Sequence, residues 1–293
     1  MSQEEPQQTA EKIANRRIFL KSAGITGLGL ASATLAAGKL GAFDNTPIAK
    51  SLGLTPENVK AASYSDIDIL NFALNLEYLE AEFYTKAVYG INISQAGIGT
   101  SGIDHEGPTT GGNMVTFPDT GMGAAKLKAI AEELAFDEQT HVKLLRSALG
   151  KDAIAKPAIN LDALGIGFAN FKQFLTLSRA FEDTGVSAYG GAAPLITSKE
   201  ILATAARIAE VEALHSGNIR LLLAEYSISV APLDALDRVP PPAGTRFFTT
   251  DQNALAIVRT PGEVLAIAYH NNAPGTSSGG FFPNGVNGAI SMV

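Results

Sequence analysis

The chain has 293 residues, 46% of them hydrophobic and 17% charged, a balance that supports a large packed core and excludes the highly polar composition of a disordered chain. A formal net charge of -7 leaves no basic surplus to neutralise phosphates, which argues against nucleic acid and anionic membrane surfaces as partners. Cysteine is absent, so disulfides, thiolate metal sites and cysteine nucleophiles are excluded, and metal or acid-base chemistry falls to carboxylates and the four histidines.

Near the N-terminus, Asn15, Arg16, Arg17, Ile18, Phe19, Leu20 and Lys21 resemble a twin-arginine export signal. The Ala/Gly/Leu stretch Ser22 to Gly38 behind them is shorter than the roughly 20 apolar residues of a spanning helix. Its small-residue triplets, Ala31-Ser32-Ala33 and Leu35-Ala36-Ala37, suit signal cleavage. The expectation is a signal removed over residues 1–37, a linker over 38–63, and a folded protein exported to the periplasm or beyond, with no stable membrane insertion after cleavage.

From Asp66 the apolar residues Ile69, Leu70, Ala73, Leu76, Leu79, Phe83 and Val88 recur at intervals of three and four, which predicts a helix over 66–89 ended by Gly90. A Gly/Ser/Thr-rich loop follows to Gly123. Leu127, Ile130, Leu134, Val142, Leu145 and Leu149 predict a second helix over 124–149, closed by Gly150. A connection over 151–168, long enough to run the length of a bundle, leads to a third helix from about Phe168 to Tyr189, broken by Gly190, Gly191 and Pro194. A fourth opens at Ser198 with Glu200 and runs to about Tyr226. The expected fold is all-α: a four-helix bundle over 64–230 with a long crossover between its second and third helices. Beyond Val230 the composition turns to Pro, Thr and Gly, with one short helical candidate from Pro261 to Tyr269, so residues 231–293 read as an irregular extension packed on the bundle.

The chemistry is written on these helices. The second contains Glu138-x-x-His141 and the fourth Glu212-x-x-His215, so each histidine shares a helix face with a glutamate one turn earlier. The first and third each carry a glutamate in apolar surroundings, Glu77 and Glu182, followed two turns later by Tyr84 and Tyr189 on the same face. The two halves of the bundle echo each other.

This succession of Glu, Glu-x-x-His, Glu, Glu-x-x-His resembles the ferritin-like di-metal carboxylate proteins. The run from Phe72 to Tyr84 and the run from Phe281 to Gly285 are further similar to the desiccation-related subgroup of that superfamily. The resemblance implies a ferritin-like bundle in which Glu77 and Glu182 are terminal ligands, Glu138 and Glu212 bridging ligands, and His141 and His215 one nitrogen ligand for each of two divalent ions, iron or manganese ahead of zinc. It also implies a small-molecule substrate, namely oxygen, peroxide or ferrous iron. Physical chemistry points the same way: four carboxylates facing one core cost several kcal/mol each unless cations neutralise them, and two divalent ions supply four positive charges. The corresponding function is redox chemistry in stress protection, with a non-enzymatic protector whose metal site is structural as the alternative.

Other residues carry competing readings. Glu80 lies on nearly the same face as Glu77 and is either an additional ligand or a support to one, whereas the third helix has Gly185 at the equivalent place. Glu82, Glu132, Glu133 and Asp137 read as a solvated face, with Asp137 also able to orient a histidine nitrogen. Tyr84 and Tyr189 read as core aromatics or as residues bordering the site. His105 falls in a loop and His270 in the tail, both apart from the pattern.

Overall fold

The computed structural model describes residues 64–118 and 124–293. The expected export signal over 1–37 and the linker over 38–63 lie outside the described residues. Four long helices dominate: α1 (Asp66–Tyr89), α2 (Ala124–Leu149), α3 (Phe171–Ala192) and α4 (Lys199–Glu225), with a short α5 (Pro261–Ala268) in the C-terminal segment. The all-α expectation holds: the paired strands β1 (Thr109–Thr110) and β2 (Ile159–Asn160) have only two residues each. Among the described residues, no helix is long and apolar enough to cross a membrane.

Local signals set the helix ends. Ser65 caps α1 in a reciprocal box with Asp68, and Gly90, at φ 71°, turns the chain out of it while donating to the Lys86 carbonyl. Asn170 caps α3 by accepting from the amides of Lys172 and Gln173, and Ser198 caps α4 by accepting from Ile201. The third helix therefore starts at Phe171 rather than Phe168, and it runs on through Gly190 and Gly191 rather than ending at Tyr189. Packing overrides the glycines' weak helix propensity here: a Cβ on Gly191 would lie 2.0 Å from the Arg259 carbonyl oxygen, so the glycine makes room for the C-terminal segment to cross the helix.

Helices α1 and α2 pack as one pair and α3 and α4 as another. The loop after α1 and the crossover after α2 join through the parallel β1–β2 pairing, Thr109 opposite Ile159. They cover α1 together with the C-terminal segment, which explains why residues on every face of α1 are buried. Two α1 asparagines fasten these covers: Asn71 donates to the Asp152 carbonyl at 2.9 Å and accepts from Ile154 at 3.0 Å. Asn75 exchanges two hydrogen bonds with the backbone of Asn287, at 2.9 and 3.0 Å.

The C-terminal segment shares the core of the bundle: Val264, Leu265, Tyr269, Phe281 and Phe282 join one hydrophobic cluster with the bundle helices, and Phe281 stacks edge-on to Phe181 at 5.0 Å. Three buried arginines, none of them foreseen, also fasten it. Arg179 ion-pairs with Asp183 at 2.7 Å and with Asp237. Arg220 pairs with Asp183 at 2.6 Å and donates to the carbonyls of Phe247 and Arg246. Arg259 forks onto Asp234 within the segment at 2.7 and 2.8 Å and donates to the Ser187 hydroxyl of α3 at 3.0 Å. A guanidinium presents five donors in a plane, so each satisfies several carbonyls and carboxylates of an irregular chain at once.

Candidate metal centre

Glu-x-x-His places a glutamate and a histidine on one helix face, and the pairing of α1 with α2 and of α3 with α4 turns these faces inward. Glu77, Glu138, Glu182 and Glu212 are each at most 1% exposed, and His141 and His215 at most 9%. The structure brings all six together in two overlapping groups. Ligand-type atoms of Glu77, Glu138, His141 and Glu212 lie within 4.8 Å of one another, as do those of Glu138, Glu182, Glu212 and His215. Glu138 and Glu212 belong to both groups, the positions that the resemblance assigns to bridging carboxylates.

His141 directs Nδ1 at Glu138 (3.1 Å), Glu77 (3.3 Å) and Glu212 (3.4 Å). His215 directs Nδ1 at Glu138 (3.1 Å) and Glu182 (3.2 Å), while its Nε2 lies 3.0 Å from Asp137. With a proton on Nε2 donated to Asp137, the Nδ1 lone pair of His215 is free to face the cluster. Asp137, read from sequence as a solvated residue or an orienting one, thus takes the orienting place.

Six buried atoms in the cluster lack a well-directed hydrogen bond, although some have a histidine nitrogen or a carboxylate oxygen close by: one oxygen each of Glu77, Glu138 and Glu182, both of Glu212, and Nδ1 of His215. Buried polar atoms ordinarily find partners, and here the orphans converge on the same space, which is what metal ions between these side chains would satisfy. The donor set, carboxylates with one imidazole per group, fits divalent iron, manganese or zinc. Electrostatics agree. Burial raises the Glu138 carboxyl to about 7 against the opposing pull of the two histidines beside it, and burial with repulsion from Glu138 and Glu182 pushes Glu212 well above the carboxylate range. Burial also works to raise Glu77, but His141 outweighs it and holds that carboxyl low. Although burial disfavours its charged form, His215 is pushed up to about 12 by Glu182 and Glu138. The cluster therefore holds protons wherever cations do not replace them.

Around this cluster Tyr84 donates to Glu182 and Tyr189 to Glu77, each reaching the glutamate of the other helix. These contacts require residue 84 to lie opposite 182 and residue 77 opposite 189, so α1 and α3 are antiparallel at the site. The same alignment sets Glu80 against Gly185. A Cβ on Gly185 would lie 2.5 Å from Glu212 Oε2 and 3.3 Å from Glu80 Oε1, so the glycine is the space that these carboxylates use.

Glu82 is a correction. Instead of facing solvent it is fully buried, accepting from the Thr109 hydroxyl at 2.7 Å and the Ile93 amide at 3.2 Å, with Lys156 at 3.7 Å. It anchors the loop after α1 away from the cluster. His105 and His270 are both exposed, and Glu133 likewise, while Glu132 pairs with Lys128 at 3.6 Å on the outer face of α2.

A bundle of this topology with carboxylates and histidines at its centre defines the ferritin-like proteins, and the ferritin-like domain family matches residues 65–225. The chain belongs to that family. It is 25% identical over 280 residues, 77% of this chain and 85% of the other, to "Ferritin-like catalase Nec2" of Nesocodon mauritianus. It is also 27% identical over 194 residues to "Desiccation-related protein PCC13-62" of Craterostigma plantagineum, a match covering 57% of this chain and 58% of that protein.

Proposed function

We propose that Glu77, Glu138, His141, Glu182, Glu212 and His215 hold two divalent metal ions, iron or manganese ahead of zinc, and that the protein is exported and carries out redox chemistry on peroxide or oxygen in stress protection. The observation that carries this reading is the overlap of two four-residue groups through Glu138 and Glu212, with their orphaned atoms aimed into one space. Paired redox-active ions, when bound, would supply and take back the electron equivalents that peroxide or oxygen chemistry needs. The protein's own residues do the rest. Tyr84 and Tyr189 fix the rotamers of Glu182 and Glu77, Asp137 sets the tautomer of His215, and the buried surroundings keep bulk water from the carboxylates. Similarity to a protein named as a catalase supports peroxide as the substrate.

Similarity to a desiccation-related protein supports a second reading, in which the ions hold four helices together without turnover. Elemental analysis of protein from its own host, combined with peroxide and oxygen consumption before and after chelation, separates the two. The redox reading expects two ions per chain, with turnover lost on chelation and lost in His141→Ala far more than stability is. Two ions without turnover, and only a lower melting temperature on chelation, would overturn it in favour of the structural reading.

A further inference from the structure

A cavity of about 490 Å³ separates α1 and α3 from the C-terminal segment. Its walls include Leu76, Leu79, Ile166, Leu177, Phe181 and Ile267, and it runs from the exposed His270, Asn271 and Asn272 to Glu80 and Gly185. Gly185 is the thin point of its wall, because the carboxylate of Glu212 lies directly behind it. Glu80 lines the cavity and is only 4% exposed, with its Oε1 turned toward Gly185. A largely buried carboxyl group gains from a donor that reaches it, and this one stands where an apolar pocket ends.

We propose that the cavity binds a compact neutral organic molecule with an apolar body and one terminal hydroxyl or hydroperoxyl group, seated with that group donating to Glu80. The volume suits a ligand of about eight to twelve non-hydrogen atoms. The apolar walls take its body, and an oxygen of Glu80 accepts its single donor. An anion is disfavoured by loss of hydration against the apolar walls, and the guanidinium in the lining, Arg179, is already paired with Asp183 and Asp237. A fully polar molecule gains nothing from the walls. Because Gly185 lines the cavity and Glu212 packs against it, the polar end of a bound molecule lies next to the carboxylate cluster. Binding of this kind does not require the ions, so it stands whether or not the cluster is metal-loaded.

The test uses 4-fluorobenzyl alcohol observed by fluorine NMR, with metal content measured on the same sample. Saturable binding at about millimolar affinity or tighter is expected for a ligand of this size. Binding of 4-fluorotoluene, which keeps the body and lacks the hydroxyl, should be about tenfold weaker, and 4-fluorobenzoate should not bind. Ala180→Phe and Ala266→Phe fill the cavity from opposite walls and should each abolish binding. Glu80→Leu should erase the preference for the alcohol over the toluene while toluene binding persists. Absence of saturable binding up to about 20 mM, survival of binding in both filled variants, or binding of the benzoate as tight as that of the alcohol would each overturn the proposal. If both filled variants fail to fold, Glu80→Leu decides: an unchanged preference overturns it. Alcohol binding in a chain that takes up no metal sinks the metal reading and leaves this one standing. Two ions without alcohol binding do the reverse.

Discussion

Tyr84 and Tyr189 are exchanged between helices: each lies two turns beyond the glutamate of its own helix, but each donates its hydroxyl to the glutamate of the other. Burial and the adjacent carboxylate push both phenols well above their ordinary range, so both keep the proton they donate. Tyr84→Phe should therefore weaken binding at the His215 half about 10- to 100-fold, and Tyr189→Phe at the His141 half, with folding changed by about 1 kcal/mol. Chelator competition measures the first effect and denaturant unfolding the second. Equal metal affinity in all three proteins would show that the tyrosines only pack.

Asp137 is the only direct partner of His215 Nε2 among the described residues, at 3.0 Å, and its side chain is 28% exposed. Removing it should therefore disturb the histidine far more than the fold. Asp137→Ala is expected to lower affinity for one ion about 10- to 100-fold, leaving close to one ion per chain after dialysis. Glu133→Ala, on the exposed side of the same helix, is the control and should retain both.

Arg220 joins the bundle to the C-terminal segment through Asp183 and the carbonyls of Phe247, Arg246 and Arg238. Burial raises the Asp183 carboxyl despite the two arginines beside it, so losing one guanidinium leaves a poorly compensated charge and bare carbonyls. Arg220→Met should cost about 3 to 5 kcal/mol in denaturant unfolding. Proteolysis should then begin between residues 231 and 260. Wild-type stability would mean that the arginine is replaceable by apolar packing.

Asp234 predicts a pH effect of known sign. Partial burial works to raise its carboxyl, but the forked bonds from Arg259 outweigh it and hold the group below its ordinary value. A depressed carboxyl contributes its full stability above the unfolded value of about 3.9 and loses it as pH falls through the lower folded value. Asp234→Asn should thus cost about 1 kcal/mol at neutral pH. The gap between variant and wild type should begin to narrow as pH falls below about 3.9 and go on closing through the lower folded value, as read from melting curves. A gap that stays constant with pH would rule out the ion pair as its source.

For export, the paired guanidinium groups of Arg16 and Arg17 carry the resemblance to a twin-arginine signal. Changing both to Lys keeps the charge and loses the planar fork. Cell fractionation should then find the chain in the cytoplasm, and unchanged localisation would point to another route.

The six clustered residues were legible in the amino-acid sequence because Glu138 with His141, and Glu212 with His215, meet on a helix face through spacing alone, and because Glu77 and Glu182 break otherwise apolar faces. The four helices were legible for the same reason: periodicity and caps are properties of neighbouring residues. Everything that depends on which surfaces meet was settled by tertiary structure. Glu82 looks solvated in a helix considered by itself, but α1 is covered on all sides by its loop, the crossover and the C-terminal segment. Gly190 and Gly191 look like a helix end until the carbonyl of Arg259 is seen to need the space. The partners of Tyr84 and Tyr189, the facing of Glu80 by Gly185 and the cavity beside them follow from the antiparallel alignment of α1 with α3, helices separated by about 80 residues of chain. Helix periodicity is enforced by bonds four residues apart and so leaves its mark in local sequence. The choice of partner is enforced by packing and burial between distant segments, which leave no local spacing to read.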